Sequence, residues 1–255
     1  MNDILLSIRR SLITSLRVPA AITPHVIISV FFLFVYNSGL SSVGKLPGFP
    51  GSYIGFIVPV AIVSAAIGGA GTAGQALIRD IESGYFTKLL LTPAKRLALV
   101  WGPMVAGAII LIFQVALVIV LALFLGLRPA TGAAGVLFVV FFAFLWGMAF
   151  AGYAVFIALL TKNAAAAQAA TLAFFPLIFL STTFVPREYI ESTWLRFAAT
   201  INPTTYVFDA MRALFNEGWK WRPLGIGLVV MLAFATLTGG LALWQARRAT
   251  QLTTK

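Results

Sequence analysis

Apolar residues run along this chain in long stretches, broken by short polar segments rich in Gly, Pro and Ser. Runs of about 20 apolar residues predict helices that cross a bilayer. Six such spans are predicted, at about 24–40, 53–77, 97–125, 133–160, 164–184 and 223–244. Turn chemistry separates the first two at Ser41 to Ser52, and Leu127 to Gly132 separates the third from the fourth. The connection Thr161-Lys162-Asn163 is so short that the fourth and fifth spans are expected to be antiparallel neighbours. Ahead of them, Ile4, Leu5, Ile8, Leu12 and Leu16 recur at helical spacing, with Arg10 and Arg17 on the other side. That pattern predicts an interfacial helix within residues 1–20, its basic residues meeting anionic lipid.

Two polar segments interrupt the spans. The first, Arg79 to Arg96, is too charged to cross hydrocarbon. It places Tyr85, Phe86, Leu89 and Leu90 on one helical face, with Asp80, Ser83, Thr87 and Lys88 largely off it, a pattern suited to docking. The second is residues 185–222. Pro186 is expected to open a short helix carrying Tyr189, Ile190, Trp194 and Leu195. Asn202 and Pro203 then supply the N-cap and first-turn proline of another. Tyr206, Val207, Ala210, Met211, Leu214 and Phe215 form its apolar stripe, and Asp209 and Arg212 are spaced for an i,i+3 ion pair. Helices this apolar are expected to dip back into the outer leaflet or cap the mouth of a pathway.

Composition agrees with a membrane chain. Of 255 residues, 60% are hydrophobic and 10% charged, against about 25% charged in soluble domains. The absence of cysteine removes disulfides and thiolate chemistry. The excess of 18 Lys and Arg over 7 Asp and Glu is read first as topology. With the N-terminus inside, eleven basic residues fall on the inner side and seven on the outer, five of those seven in the one long loop. Both termini and the Arg79 block are therefore expected in the cytoplasm. Trp219 and Trp221 at one end of the last span and Trp244 at the other fit interfacial belts. No cleavable signal peptide is apparent, because Arg9 and Arg10 lie in an amphipathic segment and the first apolar run leads into another span.

Little of the remaining chemistry is catalytic. Gly69-Ala70-Gly71-Thr72-Ala73-Gly74 matches a dinucleotide fingerprint, yet it lies inside a span, so Ala66, Ala70 and Gly74 read as a small-residue packing ridge. Gln114, near mid-span, is a candidate for the pathway or for interhelical packing, and Gln75 and Gln168 lie nearer the span ends. The lone His25 reads as a snorkelling or capping residue. There are no metal clusters, paired intramembrane carboxylates or nucleophile motifs, which argues against a membrane enzyme acting on lipid. A stand-alone carrier or channel is the alternative function, although charged midplane residues are missing. No Walker A motif occurs, so any pumping draws on another chain.

Glu82-Ser83-Gly84, Leu89-Leu90, Thr92-Pro93 and Lys95-Arg96, between the second and third spans, resemble the coupling region of ABC type 2 exporter permeases of the daunorubicin-resistance kind. Phe184-Val185-Pro186, Trp194-Leu195, Asn202-Pro203, Tyr206 and Arg212 resemble that family's outer segment. The resemblance implies an all-α integral membrane protein: six transmembrane helices, an N-terminal interfacial helix, a cytoplasmic coupling helix within 79–96, and short outer re-entrant helices before the last span, all one permease domain over 1–255. It implies a non-catalytic, multi-pass subunit of a bacterial plasma membrane, moving a lipophilic or amphiphilic drug, lipid or glycolipid outward. Its partners would be two copies of an ABC ATP-binding subunit, which hold the ATP and Mg, a second permease, identical or paralogous, and membrane lipid. Glu82, Gly84, Tyr85, Phe86, Lys88, Leu89, Leu90 and Pro93 would couple to the ATPase, while Pro186, Trp194, Asn202, Pro203, Tyr206 and Arg212 would form an outer gate. Tyr85 stands where the family usually has Thr, which implies a greasier contact. No Leu-Gly-x-x-Trp stretch is found near the N-terminus, which favours small cargo over polymers.

Overall fold

The structure is a computed structural model that describes residues 2–18, 22–47, 49, 51–85 and 96–251. Among them every regular element is helical. The helices are α1 (Asn2–Leu16), α2 (Thr23–Leu40), α3 (Tyr53–Glu82), α4 (Arg96–Phe124), α5 (Gly132–Thr161), α6 (Ala164–Leu172), α7 (Phe175–Phe179), α8 (Thr193–Ile201), α9 (Pro203–Arg212) and α10 (Trp221–Gln251). In hydrocarbon a backbone must satisfy its own polar groups, which helices do within one segment.

Among the described residues five helices, α2, α3, α4, α5 and α10, are long and apolar enough to cross a membrane. The long helix α3 is the axis of the bundle: its most apolar window is 94% buried, and α2, α4, α5 and α6 pack around it. Small residues make that possible. A Cβ at Gly74 would stand 2.9 Å from the carbonyl oxygen of Ala154 in α5, so glycine lets the two backbones approach. In the same way Gly152 of α5 faces Thr238 and Gly239 of α10, and the Thr238 hydroxyl donates to Ala149 O at 2.7 Å. The Gly69–Gly74 run therefore lies inside one continuous helix with no strand before it, as a packing ridge requires.

At 30 residues, α3 is about 45 Å long, longer than the hydrocarbon core of about 30 Å. It continues beyond the expected end at Leu77 and carries Arg79, Asp80 and Glu82 on its last turn. The charged block thus begins on the span itself. The helix stops at Gly84, whose φ of 69° places it in the left-handed region.

The expected fifth span, 164–184, is broken. Helix α6 ends at Leu172, α7 covers Phe175–Phe179, and residues 180–186 are non-helical. Pro176 explains the break: it has no N–H to donate, and its ring would collide with the carbonyl of Leu172 in a continuous helix. The two pieces together cover 164–179, about 24 Å of helical rise, less than a full crossing. The expected reversal before them is present. Lys162 takes a left-handed conformation, and Asn163 Oδ1 accepts from Ala166 N at 3.0 Å. Gln75 Nε2 donates to Gln168 Oε1 at 2.9 Å, fastening α6 to α3.

Helix α1 packs on α4, with Ser7 against Gly102 and with Ser11 and Ser15 buried. Leu5, Leu6 and Leu16 turn outward, Leu5 60% and Leu16 53% exposed. Of the apolar stripe read from the sequence, Leu5 and Leu16 face outward while Ile4, Ile8 and Leu12 are half-buried, and a serine stripe one position away makes the protein contact. His25 packs on Gly68 of α3.

Gly74→Val is expected to push α3 from α5 and lower the thermal unfolding midpoint in detergent, by about 1–3 kcal/mol of stability. Gly240→Val, where an added Cβ meets nothing within 4 Å, should leave the midpoint nearly unchanged.

Candidate functional site

Two clusters of polar side chains sit at opposite ends of the bundle. At the α1 end, Arg10 donates to Asp80 through both terminal nitrogens, at 2.7 and 2.6 Å, and its guanidinium lies 3.7 Å over the ring of Tyr85. The hydrogen bond to Asp80 raises the Arg10 pKa, outweighing burial. One bidentate pair therefore joins the N-terminal helix to the last turn of α3 and to the start of the segment that follows. Glu82 is exposed, Gly84 makes the turn, and Tyr85 is half-buried with one face of its ring covered by Arg10. Phe86, Lys88, Leu89, Leu90 and Pro93 lie outside the described residues. The Arg10–Asp80 pair escaped the sequence reading because its partners are 70 residues apart. Asp80, one of only seven acids in the chain, was the available signal.

At the opposite end, residues 185–222 fold as a cap. The expected helix from Pro186 to Leu195 is two pieces, a 3₁₀ turn at Arg187–Tyr189 and then α8 from Thr193. Arg196 donates to Ile190 O, at 3.0 Å through Nε and 2.5 Å through Nη2, and holds the bend between them. Asn202 caps α9 as expected, its Oδ1 accepting from Thr204 N at 2.9 Å, with Pro203 as the first helical residue. Its amide also donates to Leu177 O at 2.6 Å and Leu180 O at 3.1 Å, tying the cap to the broken span. Tyr206 donates to Thr200 O at 2.6 Å. Trp194 stands apart on α8, 66% exposed.

Arg212 is 5% exposed and reaches away from Asp209. Its Nε donates to Phe56 O at 2.9 Å, Nη1 to Thr182 Oγ1 at 2.9 Å and Nη2 to Thr183 O at 3.3 Å, and its plane lies 3.4 Å over the Phe56 ring. The expected Asp209–Arg212 ion pair is not formed. Asp209 stands 3.8 Å from Arg187 instead, because the Arg212 fork has the denser set of acceptors on α3 and the 182–183 turn. Burial pulls the Arg212 pKa down to about 9, against the pull of Asp209 and Tyr53, and the group stays charged at neutral pH. Burial likewise pushes the Asp209 carboxyl up. Phe56, Thr182 and Thr183 carried no sequence signal of this role, since two contacts use main-chain oxygens that every residue has.

Beside this cap opens a cavity of about 900 Å³, lined by Pro186, Tyr206 and Arg212 together with Phe56 and the start of α10. Asn202, Pro203 and Trp194 do not line it. Gln114 is 3% exposed in α4, and neither of its amide atoms has a partner among the described residues. It faces Gly69 of α3 without an interhelical hydrogen bond.

The family model described as ABC-2 type transporter matches residues 2–216. The chain belongs to the ABC-2 type transporter family. The match takes in both clusters. The chain is 23% identical over 221 residues to a protein of Cyanophora paradoxa described as a transport permease, ycf38, covering 85% of this chain and 75% of that one. It is 25% identical over 230 residues to the daunorubicin resistance ABC transporter permease protein DrrB1 of Streptomyces coeruleorubidus, covering 86% and 78%. A multi-pass membrane protein with a transport role follows from the family and from the five apolar helices.

In this ABC-2 chain, Arg212→Leu is expected to strand three acceptors and lower the unfolding midpoint sharply, since each hydrogen bond to a charged donor contributes about 1.5–3 kcal/mol. Asp209→Asn, whose ion pair is long and half exposed, should cost under about 1 kcal/mol. At the other end, Arg10→Asp should destabilise. The double variant Arg10→Asp/Asp80→Arg should recover much of the loss, a coupling of about 1 kcal/mol measurable in a double-mutant cycle.

Proposed function

We propose that this chain is the membrane-spanning permease subunit of an ATP-driven exporter that moves a lipophilic or amphiphilic small molecule outward. The observation that carries the reading is the family match over residues 2–216. ABC-2 permeases work with an ATP-binding subunit, and this chain has no Walker A motif of its own. In this reading the broken α6–α7 pair counts as a sixth, incomplete pass, both termini face the cytoplasm, and two permeases flank the path above two ATPases. The segment from Tyr85 to Pro93 seats on the ATPase, with Arg10 and Asp80 fixing the angle at which it leaves α3. The cap formed by α8 and α9 closes the outer mouth, anchored by Arg212.

Cargo moves because ATP binding favours one arrangement of the helices over the other, by an amount set by its differential affinity for the two. Coupling therefore requires a stiff connection between the ATPase contact and the spans. The Arg10–Asp80 pair supports this, since it ties the α1–α4 unit to the end of α3 where the coupling segment starts. The apolar, Phe-rich spans suit a lipophilic cargo entering from the inner leaflet.

The test is co-purification and transport with the ATP-binding subunit expressed alongside. ATP-dependent efflux of a lipophilic dye from proteoliposomes is expected. Phe86→Asp should reduce ATPase retention about ten-fold while the protein still inserts. Transport by the chain alone, without ATP, would instead identify a stand-alone carrier and overturn the reading.

A further inference from the structure

The cavity beside the cap has a wall unlike the rest of this greasy chain. Four cations and three acids line it, and most are already engaged. Arg187 stands 3.8 Å from Asp209, Lys220 pairs with Glu217 at 2.5 Å, and Arg212 is held by Phe56, Thr182 and Thr183. That leaves Glu188 and Arg222, both exposed and neither joined by an ion pair or hydrogen bond to another described residue. Among its exposed side chains the cavity therefore presents one unpaired charge of each sign, while Arg212 keeps its charge but is buried among neutral oxygens.

Its depth is marked by tryptophans. Trp219 and Trp221, ring centroids 6.1 Å apart, are 39% and 74% exposed immediately before Arg222. Exposed Trp at the end of a span marks headgroup level. From there the lining continues along α10 through Pro223 and Ile226, and Val229 extends it one turn further, 66% exposed. A charged mouth at headgroup depth opens onto an apolar track that runs toward the bilayer centre.

We infer that this cavity binds a zwitterionic phospholipid carrying a primary ammonium, of the phosphatidylethanolamine type, taken from the adjoining leaflet. The phosphate sits on Arg222, the ammonium on Glu188, and an acyl chain lies along Ile226 and Val229. A primary ammonium is favoured over a quaternary one because it can donate hydrogen bonds to carboxylates. A quaternary group has no N–H to donate to the Glu188 carboxylate. An anionic headgroup without a cation would leave the unpaired Glu188 carboxylate beside its phosphate. A volume of about 900 Å³ lies within the range of small-molecule sites. The site belongs to a single chain and does not depend on ATP-driven transport.

Native mass spectrometry of the full chain in detergent, titrated with equimolar phosphatidylethanolamine, phosphatidylcholine and phosphatidylglycerol, tests it. Phosphatidylethanolamine adducts should exceed each of the others at least five-fold. Arg222→Gln should reduce phosphatidylethanolamine retention at least five-fold, and Glu188→Gln should abolish its advantage over phosphatidylglycerol. Arg128→Gln, an exposed cation at the same end outside the cavity, should behave as the unsubstituted protein. Equal retention of the three lipids, or retention of phosphatidylethanolamine unchanged in both cavity variants, would overturn the inference. So would displacement of the lipid by soluble phosphoethanolamine at matching concentration, which would make the ligand a free phosphate ester.

Discussion

The closeness of α3 to its neighbours is the constraint on which the bundle rests. Lipid tails are as apolar as the side chains, so burying leucine between helices gains little here, and contact distance decides association instead. Glycine at position 74 brings α3 to the carbonyl of Ala154, and Gly152 brings α5 to Thr238 and Gly239. Chained together, these approaches set α5 between α3 and α10 and leave the outer faces of α2 and α10 open to whatever surrounds the protein.

A rigid axis of this kind gives the polar clusters at its two ends something to act on. Asp80 lies on the last turn of α3, so Arg10 fixes the N-terminal helix to the axis itself. Phe56 lies near the first turn of the same helix, and Arg212 fixes the cap to it there. Both arginines use the planar fork to engage two or more acceptors while stacking on an aromatic ring, which a lysine could not match. Their environments differ: Arg10 has a carboxylate partner and stays partly exposed, whereas Arg212 is buried and held by carbonyl and hydroxyl oxygens. One helix therefore connects the two ends mechanically.

The broken span shows how local chemistry changes a topology. Residues 164–184 are apolar enough to be read as a crossing, and the composition of the run hides the break. Pro176 ends the first piece, and the chain then leaves helical geometry at Leu180, where its carbonyl accepts from Asn202. Ser181 and Thr183 meet the carbonyl of Ile178, and Thr182 meets Arg212. The non-helical stretch is thus stabilised by side chains that supply the hydrogen bonds a helix would have made internally. Irregular backbone is tolerated at membrane depth when it is covered by protein in this way.

Apolar run length determined the helical class and the positions of the five long helices, because hydrocarbon leaves a backbone almost no other structure. Local signals were equally legible: Asn202-Pro203 opened α9, Thr161-Lys162-Asn163 reversed the chain, and Gly74 of the small-residue ridge brought α3 close to α5. Long-range polar pairing was not legible. Arg212 sits at ideal spacing for Asp209, yet it turns to Phe56, 156 residues away. Arg10 reads as one basic residue on an amphipathic helix, yet it holds Asp80. Spacing along a helix reports only which groups share a face. Which acceptor a buried guanidinium takes depends on what the fold brings within about 3 Å of it, and only the tertiary structure decided that.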